Sequence, residues 1–571
     1  MLEAARLPQV RSERGLDVPV QWSIGLLSFL LVLFPLVPIV YQSLLSKPLY
    51  EPDRALTLQN FTTMLASGEF HTVVVNSLIV AVSTTVLAVA LGTLFAVFVM
   101  RTNMPLRGLL GALVMSPLYI SPLVLAFAWI TMFGPQGYVT IYLRTLTGDD
   151  PWNLYTLAGI IVVSVFYYVP YAYLNASASL SLSDPTVEDA ARIAGAGPLR
   201  TLLTVTLPLL RPSIVYSLLL VGIASLELLS VPLILGTPTG IDTVSTLLVK
   251  LGIQGGGSDY GAVAAVATML LVVMTVLIVA QERLIGATQR FVTVRGKATA
   301  PRTFNIGGLR YAAFALVAVY ILLGVLIPLG GIALRSIVGF LSPLANPLDS
   351  LTAENFQLVL QQESYRRSII NSLLIAGIGG GVGIIFMALV ALATYRSDLS
   401  WRKVLGFVAL YPRAIPGLIV GIGFLWSFAL VRPLGTLRNT VFALGAAFIM
   451  RYIPYGFSLI SPVLTRISPE LDNASRVAGE GWTGTVRRIL LPLLRPALFT
   501  GWIFLFITFL KEYSSALFLF ARGSEVIGTT MLELWRQGDM GPVSALAVLQ
   551  VGLIVTVLAV ARWGFGVRFY G

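Results

Sequence analysis

Twelve apolar runs of about 20 residues or more dominate this sequence, and a membrane-spanning helix is the element they fit. An α-helix crosses the roughly 30 Å hydrocarbon core in about 20 residues. The runs lie near 22–45, 72–100, 108–133, 153–178, 207–234, 260–284, 310–334, 367–395, 404–428, 439–464, 493–520 and 543–563. Long strands of alternating polarity are missing, which argues against a β-barrel. Only 11% of the 571 residues are charged and 56% are hydrophobic, whereas a soluble protein carries about 25% charge. This balance excludes an ordinary soluble enzyme, a disordered chain and a nucleic-acid binder, and makes membrane lipid the surrounding medium. Cysteine is absent and His71 is the single histidine, so disulfides, thiolate chemistry and a multi-histidine metal site are excluded. The first run, from Trp22 to Leu45, exceeds the 7–15 residues or so of a signal-peptide core and is read as a retained helix.

Orientation follows from the cationic residues. With the N-terminus inside, 24 of the 38 Lys and Arg fall on the inner side, 11 outside, and Arg413, Arg451 and Lys511 within spans. The inner set includes Arg6, Arg11 and Arg14, the linker residues Arg290, Arg295, Lys297 and Arg302, and the tail residue Arg568. That bias predicts N-in and C-in. It also predicts external loops at 46–71, 134–152, 235–259, 335–366 and 521–542.

The chain is a tandem repeat. Asp184–Ile214 (DPTVEDAARIAGAGPLRTLLTVTLPLLRPSI) realigns on Ser468–Leu498 (SPELDNASRVAGEGWTGTVRRILLPLLRPAL) at a constant offset of 284. Upstream, Asn76-Ser77-Leu78 opens the second run and Asn371-Ser372-Leu373 the eighth. Six spans per copy return the chain to the same side, so the copies are parallel repeats. The expected organisation is a cytoplasmic N-tail (1–21), a first transmembrane domain (22–284), a cytoplasmic linker (285–309) and a second transmembrane domain (310–571). Two such halves around a shared pathway suit a transporter.

The repeated motif lies between spans, not in them. Pro185 and Pro469 suit a first helical turn, with Asp184 and Ser468 as N-caps. Acidic residues follow (Glu188 and Asp189; Glu470 and Asp472), as a helix N-terminus favours. Gly195 and Gly479 end the helix or bend the chain. A single such loop could be a plain capped turn. Its recurrence at matching topological positions points to a short surface helix shaped for a partner's groove.

These residues resemble the EAA motif of ABC importer permeases of the MetI-like, binding-protein-dependent type, in which E-A-A-x-x-x-G precedes an apolar stretch and Leu-Pro. Here it reads Asp189-Ala190-Ala191-Arg192-Ile193-Ala194-Gly195 and Asn473-Ala474-Ser475-Arg476-Val477-Ala478-Gly479. Both copies depart from the pattern at the first position, and Glu188 and Asp472 stand one residue earlier. The resemblance implies that residues 185–197 and 469–481 are coupling helices that dock two ATP-binding cassette subunits. ATP and Mg would then be bound by those subunits and no cofactor by this chain. It also implies an extracytoplasmic substrate-binding protein and a bacterial or archaeal cytoplasmic (inner) membrane. Segments 225–248, 411–426 and 509–535 are similar to the ferric-iron permease branch. Fused relatives also serve thiamine, phosphonates, phosphorylated small molecules or polyamines.

Ionisable residues inside a membrane are costly and usually face protein or water. Glu227 and Lys511 occupy matching positions in the two repeats, Glu512 follows, and Arg413 stands between Pro412 and Pro416. These four are candidates for the translocation path, with structural ion pairing as the alternative. The run Gly377–Gly383 in span eight suits close packing or a break, and Gly255–Gly257 suits a flexible turn. No GxxxxGK[ST] sequence occurs, so the chain is not expected to be its own ATPase or an enzyme. An ion-coupled secondary transporter, which has no reason to repeat the loop, and a scaffold or channel subunit, which would not need matched charges such as Glu227 and Lys511, remain as other classes.

Overall fold

The computed structural model describes residues 17–183, 185–254, 259–288, 303–397 and 399–565. The expectations for Arg6, Arg11, Arg14, Asp184, Gly255–Gly257, the linker cations 290–302 and Arg568 lie outside them. Every extended element named among the described residues is a helix, and three isolated bridges are the β-type pairings. In the first repeat we label α1 (Asp17–Ser43), α2 (Gly68–Arg101), α3 (Arg107–Val114), α4 (Pro122–Thr147), α5 (Leu157–Leu182), α6 (Pro185–Ile193), α7 (Arg211–Leu226), α8 (Val244–Ile253) and α9 (Tyr260–Thr288). The second repeat gives α10 (Leu309–Ser336), α11 (Glu363–Arg396), α12 (Arg402–Ala414), α13 (Gly417–Leu430), α14 (Val441–Arg466), α15 (Glu470–Val477), α16 (Trp482–Lys511), α17 (Ile527–Arg536) and α18 (Met540–Phe565).

Ten helices are long and apolar enough to cross a membrane, or twelve if each of two sharply bent pairs counts as one span. The twelve-run reading therefore holds in number but not in detail. Span nine is broken: α12 and α13 meet at 111°, because Pro412 and Pro416 remove donors and push their neighbours out of helical geometry. Span three is likewise split between α3 and α4 around Pro117 and Pro122. Span five bends by 61° before α7. Spans five and eleven were expected to reach 234 and 520, yet their helices stop at Leu226 and Lys511. The glycine run in span eight does not break α11. It forms a wide π-helical turn over 375–379, and the Trp502 indole donates to the Gly377 carbonyl (2.9 Å).

The stretches expected as external loops at 235–259 and 521–542 contain helices. Among them are α8 and α17, whose Leu248, Val249, Ile527 and Met531 are fully buried. The Asn-Ser pairs that open the second span of each repeat hold these helices. Asn76 donates to the Asp242 carbonyl (3.1 Å), and Ser77 Oγ accepts from the Val244 N–H at the start of α8 (2.8 Å). Asn371 donates to the Glu525 carbonyl (2.9 Å), and Ser372 Oγ accepts from the Ile527 N–H at the start of α17 (2.9 Å). Each serine thus satisfies an orphan helix donor from a distant part of the chain. Arg367 adds two bonds to Glu525 (3.0 and 3.3 Å). Burial pushes the Glu525 carboxyl up, but the bonds from Arg367 and the Gly523 N–H together outweigh it and hold it below its usual range.

The contacts form two compact units. One lies within Met1–Tyr41, Arg367–Thr529 and Leu553–Gly571, the other within Gln42–Arg366 and Thr530–Gly552. In the first, α11 packs on α14 and α16, and α1 lies against α11 and α12. Gly25 of α1 leaves the space that the Trp401 ring fills: a Cβ there would sit 1.8 Å from it. In the second, α2 packs on α5 and α7, and α10 lies against α4. Gly324 and Gly331 of α10 accommodate Phe166 and Met132, and Tyr320 donates to the Phe166 carbonyl (3.0 Å). Each unit thus takes its opening helix from the other repeat.

The equivalent helix pairs solve close packing in opposite ways. On α2, Gly92 faces the backbone of α5 at Val169 and Tyr173. On α14, Gly456 faces the flexible Met387 side chain of α11. Gly92→Ala is therefore expected to cost about 1–3 kcal/mol through overpacking, and Gly456→Ala less, read as melting temperatures of the detergent-solubilised protein. Because the folded Glu525 carboxyl is depressed, its stabilising contribution is present above the ordinary glutamate value of about 4.3. It is lost as pH falls further through the folded value. Glu525→Gln is expected to flatten that acid-side loss of melting temperature relative to the unaltered protein.

Candidate functional site

The repeated motif folds as expected. α6 and α15 are short helices, and the chain leaves each through a left-handed glycine, Gly195 (φ +87°) and Gly479 (φ +88°). The hydrogen bonds repeat as well. Gly195 N–H donates to Arg192 O (2.9 Å) and Ala196 N–H to Ala191 O (3.0 Å). Gly479 N–H donates to Arg476 O (3.0 Å) and Glu480 N–H to Ser475 O (3.1 Å). This 6→1 and 5→2 pair is a Schellman ending, which requires the conformation glycine adopts without strain. At the start of α15, Ser468 Oγ accepts from the Glu470 N–H (3.2 Å), the capping role expected of it.

What fastens the two helices was not legible at the motif's first position. Asp189 is half-buried and lies 3.9 Å from Arg192, one turn on, and Asn473 is exposed. The acid one residue earlier carries the contact. Glu188 is buried, pairs with Arg101 Nε (3.2 Å) and accepts from Thr206 Oγ1 (2.8 Å). Asp472 pairs with Arg396 Nη1 (3.1 Å). Arg101 ends α2 and Arg396 ends α11, and each also donates to carbonyl or hydroxyl oxygens at the end of the long helix that precedes the motif helix, α5 or α14. Arg101 reaches Leu180 O (2.9 Å) and Ser183 Oγ; Arg396 reaches Leu464 O (2.9 Å) and Ile467 O. Both arginines stand 295 residues apart, the spacing of the Asn-Ser-Leu triplets, and that regularity could have identified them.

Fastened on one side, each helix presents the other outward. Ala190 and Ala474 are exposed, as are Arg192 and Arg476, while Ala191 is half-buried and Ser475 buried. Apolar tips stand at matched positions: Ile193 is 89% exposed and Val477 81%. Val187 and Leu471, six residues earlier, are exposed as well. Exposed aliphatic side chains this bare, set between arginines at a helix end, suit a partner's pocket.

The candidate path residues separate. Glu512 is buried at the end of α16, where it accepts from the Tyr452 hydroxyl, Ser514 Oγ (2.5 Å) and the Ser515 N–H (3.0 Å). Arg451 Nε pairs with it at 3.2 Å. Gly417, at the start of α13, gives this cluster its room, since a Cβ there would lie 2.3 Å from both Arg451 and Ser514. Lys511 is half-buried beside Glu512. Arg413 is exposed at the break between α12 and α13 and donates to Ser458 Oγ (2.6 Å). In the other unit, Glu227 follows the end of α7 within electrostatic reach of Tyr171, and the Tyr168 hydroxyl donates to Ala224 O (2.7 Å). Tyr452 and Ser514 thus join a site in which the sequence singled out Glu512 and Lys511 and named Arg451 as a charge within a span.

Residues 88–290 and 369–563 match the family described as binding-protein-dependent transport system inner membrane component. The chain belongs to this family. It is an ABC importer permease of the inner membrane with two family domains. It is 25% identical over 552 residues to the ferric transport system permease protein FbpB of Actinobacillus pleuropneumoniae, covering 95% of this chain and 77% of that one. It is 24% identical over 466 residues to the Fe(3+)-transport system permease protein FbpB 2 of Haemophilus influenzae, covering 81% and 83%. Among solved structures, a bacterial ABC transporter involved in import of the acidic polysaccharide alginate aligns with 48% of this chain and 98% of its own (TM-score 0.41, 19% identity).

Removing one partner of a buried ion pair strands the other charge. Arg101→Ala is therefore expected to cost about 3–5 kcal/mol, and replacing both partners, Arg101→Met with Glu188→Leu, to recover most of it. Thermal stability of the purified permease in detergent reads both effects.

Proposed function

We propose that this chain forms the translocation path of its importer and passes to it the work of ATP hydrolysed by two separate ATP-binding cassette subunits. The observation that carries this reading is the pairing of two motif helices with the same ending, the same arginine anchor and the same exposed aliphatic tips. Glu188, Asp472 and their arginines make each helix part of its unit, so a push on the tip reaches the spans. Ile193, Val477 and the neighbouring Arg192 and Arg476 face the subunits. ATP and Mg belong to those subunits, and the chain itself is not an enzyme. The cationic bias places both motif loops on the cytoplasmic side, with N- and C-termini there too.

An extracytoplasmic binding protein delivers the substrate. Ferric iron is the favoured cargo, on the strength of two relatives whose names carry ferric or Fe(3+) transport. Thiamine, phosphonate, a phosphorylated small molecule or a polyamine are the alternatives. Glu227, Arg413, Lys511 and Glu512 line the path or gate it. Arg413 is the exposed charge at a helix break, while Glu512 is neutralised by Arg451.

A pull-down of the tagged chain from native membrane is expected to bring down an ATP-binding cassette subunit at two copies per chain. Ile193→Glu with Val477→Glu is expected to abolish that association while the chain stays inserted and monodisperse. A chain that emerges without ATPase under conditions preserving known importers would refute the reading. Radioactive ferric iron uptake by cells carrying the complete system tests the cargo separately.

A further inference from the structure

The two motif loops are fastened at one further point each, the second by the first residue of donated helix α1 and the first by the stretch just before donated helix α10. Asp17 is the first residue of α1. Its carboxylate accepts from the Trp482 N–H (2.6 Å), the Thr483 N–H (2.9 Å) and the Thr483 hydroxyl. These are the first donors of α16, directly behind the second motif helix, and Asp17 caps them from more than 460 residues away in the chain. Gly481 leaves the approach open, since a Cβ there would lie 2.5 Å from Asp17 Oδ2.

The contact continues into the motif. The Trp482 indole donates to Arg396 O (2.9 Å), and the Arg396 guanidinium holds Asp472 of α15. Ser475 and Thr485 join their hydroxyls at 2.9 Å. A chain of bonds thus runs from α1 through α16 to the motif helix, all within one compact unit.

In the first repeat Gly197 holds the position of Gly481, and Pro198 that of Trp482. Proline has no N–H to cap, and the stretch before α10 is held instead by a backbone strap at the end of α2. Phe304 N–H donates to Arg101 O (2.7 Å) and Asn103 N–H to Phe304 O (3.0 Å). Arg192 of α6 lies over the Phe304 ring at 5.4 Å. Phe304 belongs to the arm just before α10, as Asp17 opens α1.

We propose that Asp17 is a positioning residue that makes the first span and the second motif loop move as one body. It transmits displacement of the docked ATPase to a helix that belongs, in the chain, to the other repeat. The inference rests on the docking reading of the motif loops.

The absence of cysteine from this chain allows a clean test. The Gly481 Cβ position lies 3.1 Å from Asp17 Cγ, so Asp17→Cys with Gly481→Cys suits a disulfide. The assembled complex with its ATP-binding subunits is assayed for ATP hydrolysis. Asp17→Ala is expected to lower kcat about fivefold, the scale on which a lost helix cap acts, with the KM for ATP unchanged. Asp17→Asn, which still caps, keeps the rate, and oxidation of the cysteine pair restores what its reduced form loses. An Asp17→Ala complex as fast as the unaltered one, or an oxidised pair as slow as the reduced pair, overturns the proposal.

Hydrogen exchange of the Trp482 and Thr483 amides in the chain alone provides a second readout. Asp17→Ala is expected to speed it about tenfold, and unchanged exchange overturns the brace itself. Failure of the unaltered chain to bind any ATPase overturns the docking reading and leaves the exchange result to judge Asp17.

Discussion

The arginine that ends the second span of each repeat is the contact on which the motif loop depends. Arg101 is 1% exposed and Arg396 is almost as deeply set. Each gathers a carboxylate from the motif helix and oxygens from the end of the preceding long helix. A guanidinium suits this task because its fork of donors can serve several acceptors at once and does not deprotonate. A short helix of eight or nine residues has little stability of its own. The ion pair gives it a fixed seat, and α14, which helps to build one seat, also carries Arg451 and Tyr452, the partners of Glu512.

Much of the architecture was legible because lipid imposes a simple rule: backbone polar groups must be satisfied within the segment, so apolar runs become helices. Span number could be read this way, while the repeat and the helix-ending role of Gly195 and Gly479 were legible from the constant offset of 284. The failures have physical causes. Hydropathy sees only that Pro232–Leu235 and Ala516–Phe520 are apolar. It cannot see that α7 and α16 have already ended, because those residues are buried by protein and not by lipid. The same blindness hid α8 and α17, short buried helices whose donors are met by Ser77 and Ser372 from afar.

The site divides along the same line. Ile193 and Val477 stand in the sequence only as letters of the motif, and their exposure at matched positions appears only in the structure. Glu188 and Asp472 were grouped with the docking residues although they point inward, to arginines nearly 90 and 80 residues away. Arg451 drew little weight from sequence because its repeat counterpart is Tyr167. Its meaning appears only with Glu512 beside it, where the guanidinium and the carboxylate form an ion pair at 3.2 Å.

The exchange of opening helices bears on how the protein is made. Synthesis delivers α1 first, but the surface it covers, around Trp401, follows only after the whole first repeat. At about 5–20 residues per second, α1 waits roughly 20–75 s for that partner. It must therefore insert and persist alone in lipid, and its mean hydropathy of 2.5 over the spanning window is suited to that. For α10 the order is reversed: Phe166 and Met132 are already in the membrane when it emerges. The two repeats share a fold, yet one docks its first helix late and the other at once. Nascent-chain assembly is thus asymmetric in a molecule whose finished halves are alike.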